Sequence, residues 1–296
     1  MKNVLLAGAT GYLGGYIAKE LRRRGHHCRA IVRNPQALDR KQVEVDEVIQ
    51  AEVTIPKSIA GCCEGMDVVI STVGITRQKD GLTYMDVDYQ ANMNLLEEAR
   101  RSGVKKFVYV SVLNGNKLRH LKICDAKERF VDELKGSGLD VCVVRPNGFF
   151  SDVAEFFDMA NKGRIYLLGH GKLTSNPIHG EDLAKVCVDA IDECDGELEV
   201  GGPQVLSQNE IAMMAFEVLG REPKITYIPQ WVANLTLKVA RTFAGIRIYG
   251  PIEFFLTVMS MEMLAPKYGN HSLRAYFSAL RDAESSVAVF QNGKEE

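Results

Sequence analysis

Through the first half of the chain, short apolar runs alternate with stretches in which apolar residues recur at every third or fourth position. The runs at 4–7, 28–32, 47–51, 67–72, 107–111 and 141–145 are four to six residues long and rich in Val, Ile and Ala. That is the length and composition of buried strands. Between them, Tyr12, Ile17 and Leu21, and later Met93, Leu95, Leu96 and Ala99, keep the spacing of a helix face laid on a sheet. Strands alternating with helices predict an α/β chain with a Rossmann-type, doubly wound parallel sheet.

After Pro146 the rhythm changes. A Phe- and Gly-rich loop leads to a strand-like run at 165–168, a turn at 169–172 and a helix over 181–191. The short apolar run at 198–200 reads as a strand returning to the sheet edge. Ser207 with Glu210 forms the S-x-x-E box that opens a helix. Residues 231–264 read as helical and unusually apolar, until Pro266-Lys267-Tyr268 breaks the pattern. A last helix begins near Ser272 and ends in an acidic, frayed tail. The expected organisation is a nucleotide-binding domain over 1–150 and a smaller, mostly helical substrate lobe over 151–296, with 176–202 packing back on the first.

Composition narrows the function classes. The chain has 296 residues, 46% hydrophobic and 25% charged, with a formal net charge of -2 and a pI near 6.3. Neither a nucleic-acid nor an anionic-membrane partner is suggested by that overall balance. Seven cysteines contain no C-x-x-C pair, and Cys62 and Cys63 are adjacent. They suggest neither a disulfide framework nor a zinc site, and point to a reducing compartment. Met1-Lys2-Asn3 leads into too few apolar residues for a secretory signal. The stretch 252–264 carries Glu253 and Glu262 and falls short of the roughly 20 residues that span a bilayer. The expectation is a soluble, cytoplasmic protein without a transmembrane segment or a metal.

The strongest chemical signal is Gly8-Ala9-Thr10-Gly11-Tyr12-Leu13-Gly14-Gly15, between the first strand and the first helix. A dinucleotide pyrophosphate needs close backbone approach, helix N-terminal N–H groups and tight helix–strand packing, and a side chain at any of these points obstructs it. Gly8, Gly11 and Gly14 meet the three needs, with Thr10, Tyr12 and Leu13 completing the loop. After the second strand the chain reads Val32-Arg33-Asn34, with a cation where an NAD enzyme places an acid. A guanidinium grips a 2′-phosphate with paired charged hydrogen bonds, so Arg33 predicts NADP (NADPH) as cofactor.

The G-x-x-G-x-x-G spacing resembles the short-chain dehydrogenase/reductase superfamily. Further likenesses follow in order: Glu52-Val53 at the adenine contact, Thr72-Val73-Gly74 after the fourth strand, a "D..AN.NLLE" helix within 86–97, a second-lobe signature over 176–184, and Pro266-Lys267-Tyr268-Gly269. The superfamily's Ser and Tyr-x-x-x-Lys align with Ser111 and Lys127, but Ile123 stands in the tyrosine's place. Val144-Arg145-Pro146-Asn147-Gly148 follows. This Tyr-less pattern resembles the atypical NmrA-like and isoflavone-reductase-like branch, nearest the divinyl chlorophyllide 8-vinyl reductase group through Gly171-Lys172-Leu173 and the Leu-Gly-Arg-Glu-Pro-Lys run at 219–224.

The resemblance implies Ser111 and Lys127 as catalytic residues, with Lys127, Pro146 and Asn147 also touching the cofactor. It implies an NADPH-dependent reductase of an apolar, conjugated small molecule, with Lys127 or a water on it supplying the proton. Ile123 keeps a second reading open, a non-catalytic NADP(H)-binding sensor or assembly subunit. His179, at a helix entrance, reads as a cap, and Phe149, Phe150 and the Met259, Met261, Met263 stretch read as core.

Overall fold

The structure is a computed structural model that describes residues 1–76, 81–194, 196–243 and 245–292. The expected acidic tail at 293–296 lies outside them. Strands β1 (Asn3–Ala7), β2 (His27–Val32), β3 (Glu47–Gln50), β4 (Val68–Ser71), β5 (Lys106–Val110) and β6 (Asp140–Pro146) occupy the six expected positions. Helices α1 (Tyr12–Arg23), α2 (Gln36–Arg40), α3 (Asn92–Arg101) and α4 (Lys122–Lys135) connect them. The smaller lobe begins with α5 (Phe150–Asn161), β7 (Ile165–Leu168) and β8 (Thr174–Ser175). There follow α6 (Gly180–Glu193), β9 (Gly196–Val200), β10 (Leu206–Ser207), α7 (Gln208–Leu219), β11 (Ile225–Ile228), α8 (Gln230–Phe243), α9 (Ile246–Val258) and α10 (Leu273–Asn292).

The main sheet has seven parallel strands in the order β3-β2-β1-β4-β5-β6-β9. The run at 198–200 therefore does return to the edge, where Val144 lies opposite Leu198. Because successive side chains point to opposite faces, each strand feeds two cores. Val4, Leu6, Ala30, Ile70, Val108 and Val144 pack with Ile17, Leu21, Leu183 and Cys187 of α1 and α6. Leu5, Ala7, Val69, Phe107, Tyr109 and Val143 pack with Leu95, Leu96, Phe130 and Leu134 of α3 and α4. Burial on both faces is why these strands read as continuous apolar runs. Tyr109 therefore points toward the helix that carries Lys127.

A third core joins Phe150, Phe157, Ile165, Ile211, Phe216, Leu273 and Phe277 in the smaller lobe. His179 caps α6, its Nδ1 accepting from the Glu181 N–H at 3.2 Å. Ser207 and Glu210 close the expected capping box, the Ser207 N–H donating to Glu210 at 2.7 Å. Three features depart from the sequence reading. The stretch 231–264 divides into α8 and α9 and is not helical after Met259, because the Met263 N–H donates instead to the Thr174 carbonyl at 3.0 Å. Two small sheets, β8 with β10 and β7 with β11, were not foreseen. Finally, Cys142 and Cys194 form a disulfide where none was expected. Fifty-two residues separate them in sequence, and only the pairing of β6 with β9 brings the end of α6 beside β6.

Candidate functional site: a dinucleotide cradle and a buried ion pair

The glycines form a cradle that a β-carbon would fill. Gly8 has φ +96°, and a Cβ there would lie 2.3 Å from Thr72 Oγ1. A Cβ on Gly14 would lie 2.0 Å from the Gly8 carbonyl, so α1 rests directly on the turn it leaves. Gly11 is the N-cap of α1, has no side-chain cap and leaves the first-turn N–H groups free, with no acid in that turn. An open, uncapped helix N-terminus behind a glycine turn is a phosphate site. Tyr12 is half-buried and its hydroxyl accepts from the Gly180 N–H at 3.1 Å. The Leu13 side chain lies in the core, which leaves its backbone N–H, in the uncapped first turn, as its group available to an anion.

The cations stand on the rim. Arg33 follows β2, two-thirds exposed, with its Nε 3.9 Å from Glu52. Glu52 itself is held by its N–H to Ser58 at 2.9 Å, and the Val53 carbonyl accepts from Asn94 at 2.9 Å. Lys41, which no motif marked, donates to the Thr10 carbonyl on the phosphate loop. Its approach is set by the fold of 34–46, and nothing local in the sequence announces it.

Lys127 and Asp88 sit under Gly74. Just before α3, residues Met85–Ala91 form a π-helical turn, a feature that concentrates at functional sites. Asn92 fastens this turn to the end of β4: its Oδ1 accepts from Ser71 at 2.6 Å and its Nδ2 donates to the Val73 and Asp88 carbonyls at 3.2 and 3.0 Å. The Asn of the "D..AN" pattern thus positions its Asp. Asp88 Oδ1 lies 2.8 Å from Lys127 Nζ, with the carboxylate fully buried and the ammonium 13% exposed. A Cβ at Gly74 would lie 2.6 Å from both groups, so only glycine lets this loop cover the pair.

Lys127 also stands 5.7 Å from the Tyr109 ring centre. Burial works against its charge, but the adjacent Asp88 carboxylate outweighs burial and holds the ammonium above the ordinary lysine range. Burial pushes the Tyr109 hydroxyl up to about 12, with Lys127 pulling the other way. Lys127 is a buried cation, paired with Asp88 and covered by the Gly74 loop.

Ser111 is turned elsewhere. Its hydroxyl donates to Glu128 at 3.0 Å, and Glu128 is gripped by Arg145 at 2.6 and 2.9 Å in a buried fork. Asn147 is likewise committed. Its amide donates to Asn176 and to the Met263 carbonyl at 2.8 and 2.7 Å, and its oxygen accepts from the Gly148 N–H. Pro146 ends β6, its carbonyl accepting from the Leu113 N–H at 3.0 Å. The side chains expected at the nicotinamide end thus separate into one that faces the site, Lys127, and two that stitch structure, Ser111 and Asn147. Ile123 fills the tyrosine's place inside an apolar cluster with Tyr84, Leu118, Leu121 and Cys124, against which Phe254 and Met261 of the smaller lobe pack.

His179 stacks on His271 at 4.3 Å with Glu181 nearby. One ligand atom from each of the three lies within 4.8 Å of the others, while His179 Nδ1 is already taken by the Glu181 N–H.

A family model described as NAD(P)H-binding matches residues 8–194, the segment from the glycine turn to the end of α6. The chain belongs to the NAD(P)H-binding family. This NAD(P)H-binding protein is 31% identical over 91% of its length to the divinyl chlorophyllide a 8-vinyl-reductase of Zea mays, covering 74% of that protein. It is 24% identical to the photosystem II assembly factor Ycf39 of Synechocystis sp., over 81% of this chain and 74% of that one. Among solved structures it is similar to the Escherichia coli quinone oxidoreductase QOR2 complexed with NADPH, with a TM-score of 0.70, 17% identity, and coverage of 94% and 99% of the two chains. The resemblance to atypical short-chain dehydrogenase/reductases stands.

Proposed function

We propose that this chain is an NADPH-dependent reductase of a C=C bond on an apolar, conjugated small molecule, with a vinyl-bearing tetrapyrrole as the substrate class. The observation that carries this reading is the juxtaposition of a glycine cradle, rimmed by Arg33 and Lys41, with a buried ammonium held under the Gly74 loop. Bound NADPH supplies the hydride. Gly8, Gly11 and Gly14 would hold the pyrophosphate, Thr72, Val73 and Gly74 would line the site beside it, and Arg33 would take the 2′-phosphate. Lys127 carries the positive charge that stabilises the electron pair left on the second carbon, and gives that carbon a proton directly or through a water. Solvent then reprotonates the lysine. The net change is one C=C bond reduced, one NADPH oxidised and one proton consumed.

The test is purified protein with NADPH and divinyl chlorophyllide, following loss of cofactor absorbance and a product heavier by two hydrogens. Lys127→Met is the decisive variant. A proton donor loses turnover by ~100-fold or more at saturating NADPH; a lysine that only anchors ribose loses cofactor affinity instead. A second reading, a non-catalytic NADP(H)-binding assembly subunit, is favoured by Ile123 sealed in its cluster and by the Ycf39 relatives. NADPH binding without turnover of divinyl chlorophyllide would select it.

A further inference from the structure

Residues 230–261 contain three cations, Lys238, Arg241 and Arg247, against one acid, Glu253. Glu253 is buried and taken up internally by Arg241, with Nε at 2.9 Å. This hairpin therefore carries a local excess of positive charge in a chain whose net charge is -2. On α8, Trp231, Leu235 and Val239 follow one another at four-residue spacing and so share a face. They are 66%, 52% and 49% exposed. The helix turns its other apolar side inward at Ala233, so its apolar arc is wider than the protein covers. Phe255 on α9 is exposed as well.

We propose that the α8 face bearing Trp231, Leu235 and Val239 docks on the interface of an anionic lipid bilayer. Fourteen residues are too few to cross one, and no helix among the described residues is long and apolar enough to do so. A short helix with Trp and Leu on one face and the exposed Lys238 beside it lies in the interface plane, apolar side down. Charge decides between lipid and a second copy of this chain. A two-fold contact would set the cationic hairpin against itself, whereas anionic headgroups neutralise it. The surface also adjoins the proposed site: α9 packs on α4, with Phe254 and Met261 against the Ile123 cluster. An apolar substrate dissolved in the bilayer would then meet the protein on that side.

Trp231 is the single tryptophan of the chain, so its emission reports the docking face alone. The full-length protein is mixed, without cofactor or substrate, with vesicles of phosphatidylcholine or of an equimolar phosphatidylcholine–phosphatidylglycerol mixture. Anionic vesicles are expected to shift Trp231 emission to the blue and to carry the protein in flotation; neutral vesicles bind it less, and salt weakens the anionic binding. Leu235→Ser should weaken partitioning roughly tenfold, and Lys238→Glu roughly twentyfold toward anionic vesicles only. Circular dichroism and NADPH binding verify that both variants are folded. Unshifted emission with both vesicle types overturns the proposal, as does equal binding by the folded Leu235→Ser variant. Emission already blue in buffer, together with concentration-dependent dimers in sedimentation, also overturns it and assigns the face to a second copy. Because no turnover is read, failure here leaves the reductase reading intact.

Discussion

Replacing Lys127 with Met leaves the Asp88 carboxylate buried beneath Gly74, with one long hydrogen bond from the Ile75 N–H at 3.3 Å. Removing one partner of a buried pair strands the other, at a cost of about 3–5 kcal/mol. For a chain of this size that lowers the melting temperature by roughly 5–8 °C. The deficit depends on pH in a fixed direction. Without the ammonium, burial holds the Asp88 carboxyl above its unfolded value of about 4. Folded protein then binds the proton more tightly than unfolded protein does. The stability this gives is complete below that value and is lost as pH rises through the folded one. Lys127→Met should therefore lie closest to wild type near pH 4–5 and fall away toward neutrality, by roughly the 3–5 kcal/mol given above. In the wild type burial also raises the Asp88 carboxyl, against the pull of Lys127, and the Lys127 ammonium is a cation raised above its ordinary value. Its contribution is present below about 10.4 and lost as pH rises through the raised value.

Urea unfolding of wild type, Lys127→Met, Asp88→Asn and the double variant, at pH 5 and 7, measures this cycle. The double variant, with no charge to bury, should recover most of the loss and be less destabilised at pH 7 than either single variant. If Lys127→Met unfolds at the wild-type urea concentration at pH 7, with no pH dependence, Asp88 is not enclosed and the fixed-cation argument fails. The same variant must be assayed for turnover well below its own melting range, so that lost chemistry is not mistaken for lost structure.

The remaining predictions concern the cradle and the tyrosine's place. Arg33→Ala should cost NADPH binding on the order of 1–3 kcal/mol and leave NADH binding unchanged, with Lys41→Ala adding a smaller loss; calorimetry showing equal losses for both cofactors removes Arg33 from the 2′-phosphate. Gly14→Ala puts a methyl carbon 2.0 Å from the Gly8 carbonyl, so α1 must move off β1, and the expected loss of about 1–3 kcal/mol in stability comes with loss of NADPH binding. Unchanged fluorescence titration of NADPH would contradict that. Ile123→Tyr forces a ring into a filled cluster and should destabilise by about 1–3 kcal/mol without raising turnover; a faster enzyme would mean that the slot still opens on the substrate.

How much of this was legible in sequence depends on how local each cause is. The six strands, the glycine cradle and the Ser207 cap follow from patterns a few residues long, and they stand where the apolar periodicity put them. Lys41 reaches Thr10 only because the segment after β2 folds back, and the Cys142–Cys194 disulfide forms only because a strand fifty residues later pairs with β6. No local pattern encodes either. The overall charge balance likewise concealed the cationic hairpin, since a net value averages over the chain and a docking surface does not.

The catalytic positions show a subtler limit, because alignment places a residue along the chain but does not say where its side chain is used. Ser111 and Asn147 stand at the matched positions, yet their polar atoms are engaged by Glu128 and by Asn176. Asp88, which carried no assigned role, is the group that faces Lys127. Ile123 connects these observations. With the tyrosine gone, its slot was free to become core for α9, and Ser111 no longer had a hydroxyl partner there to assist. Lys127, with no tyrosine at position 123 to polarise, keeps its charge through a carboxylate. A buried ion pair whose loss from either side is costly is kept by stability alone, whether or not the protein turns over a substrate. The stability cycle and the turnover of Lys127→Met must therefore be read together: only a loss of turnover in a variant held well below its melting range assigns the ammonium to chemistry, and a folded, NADPH-binding variant with unchanged turnover assigns it to the fold.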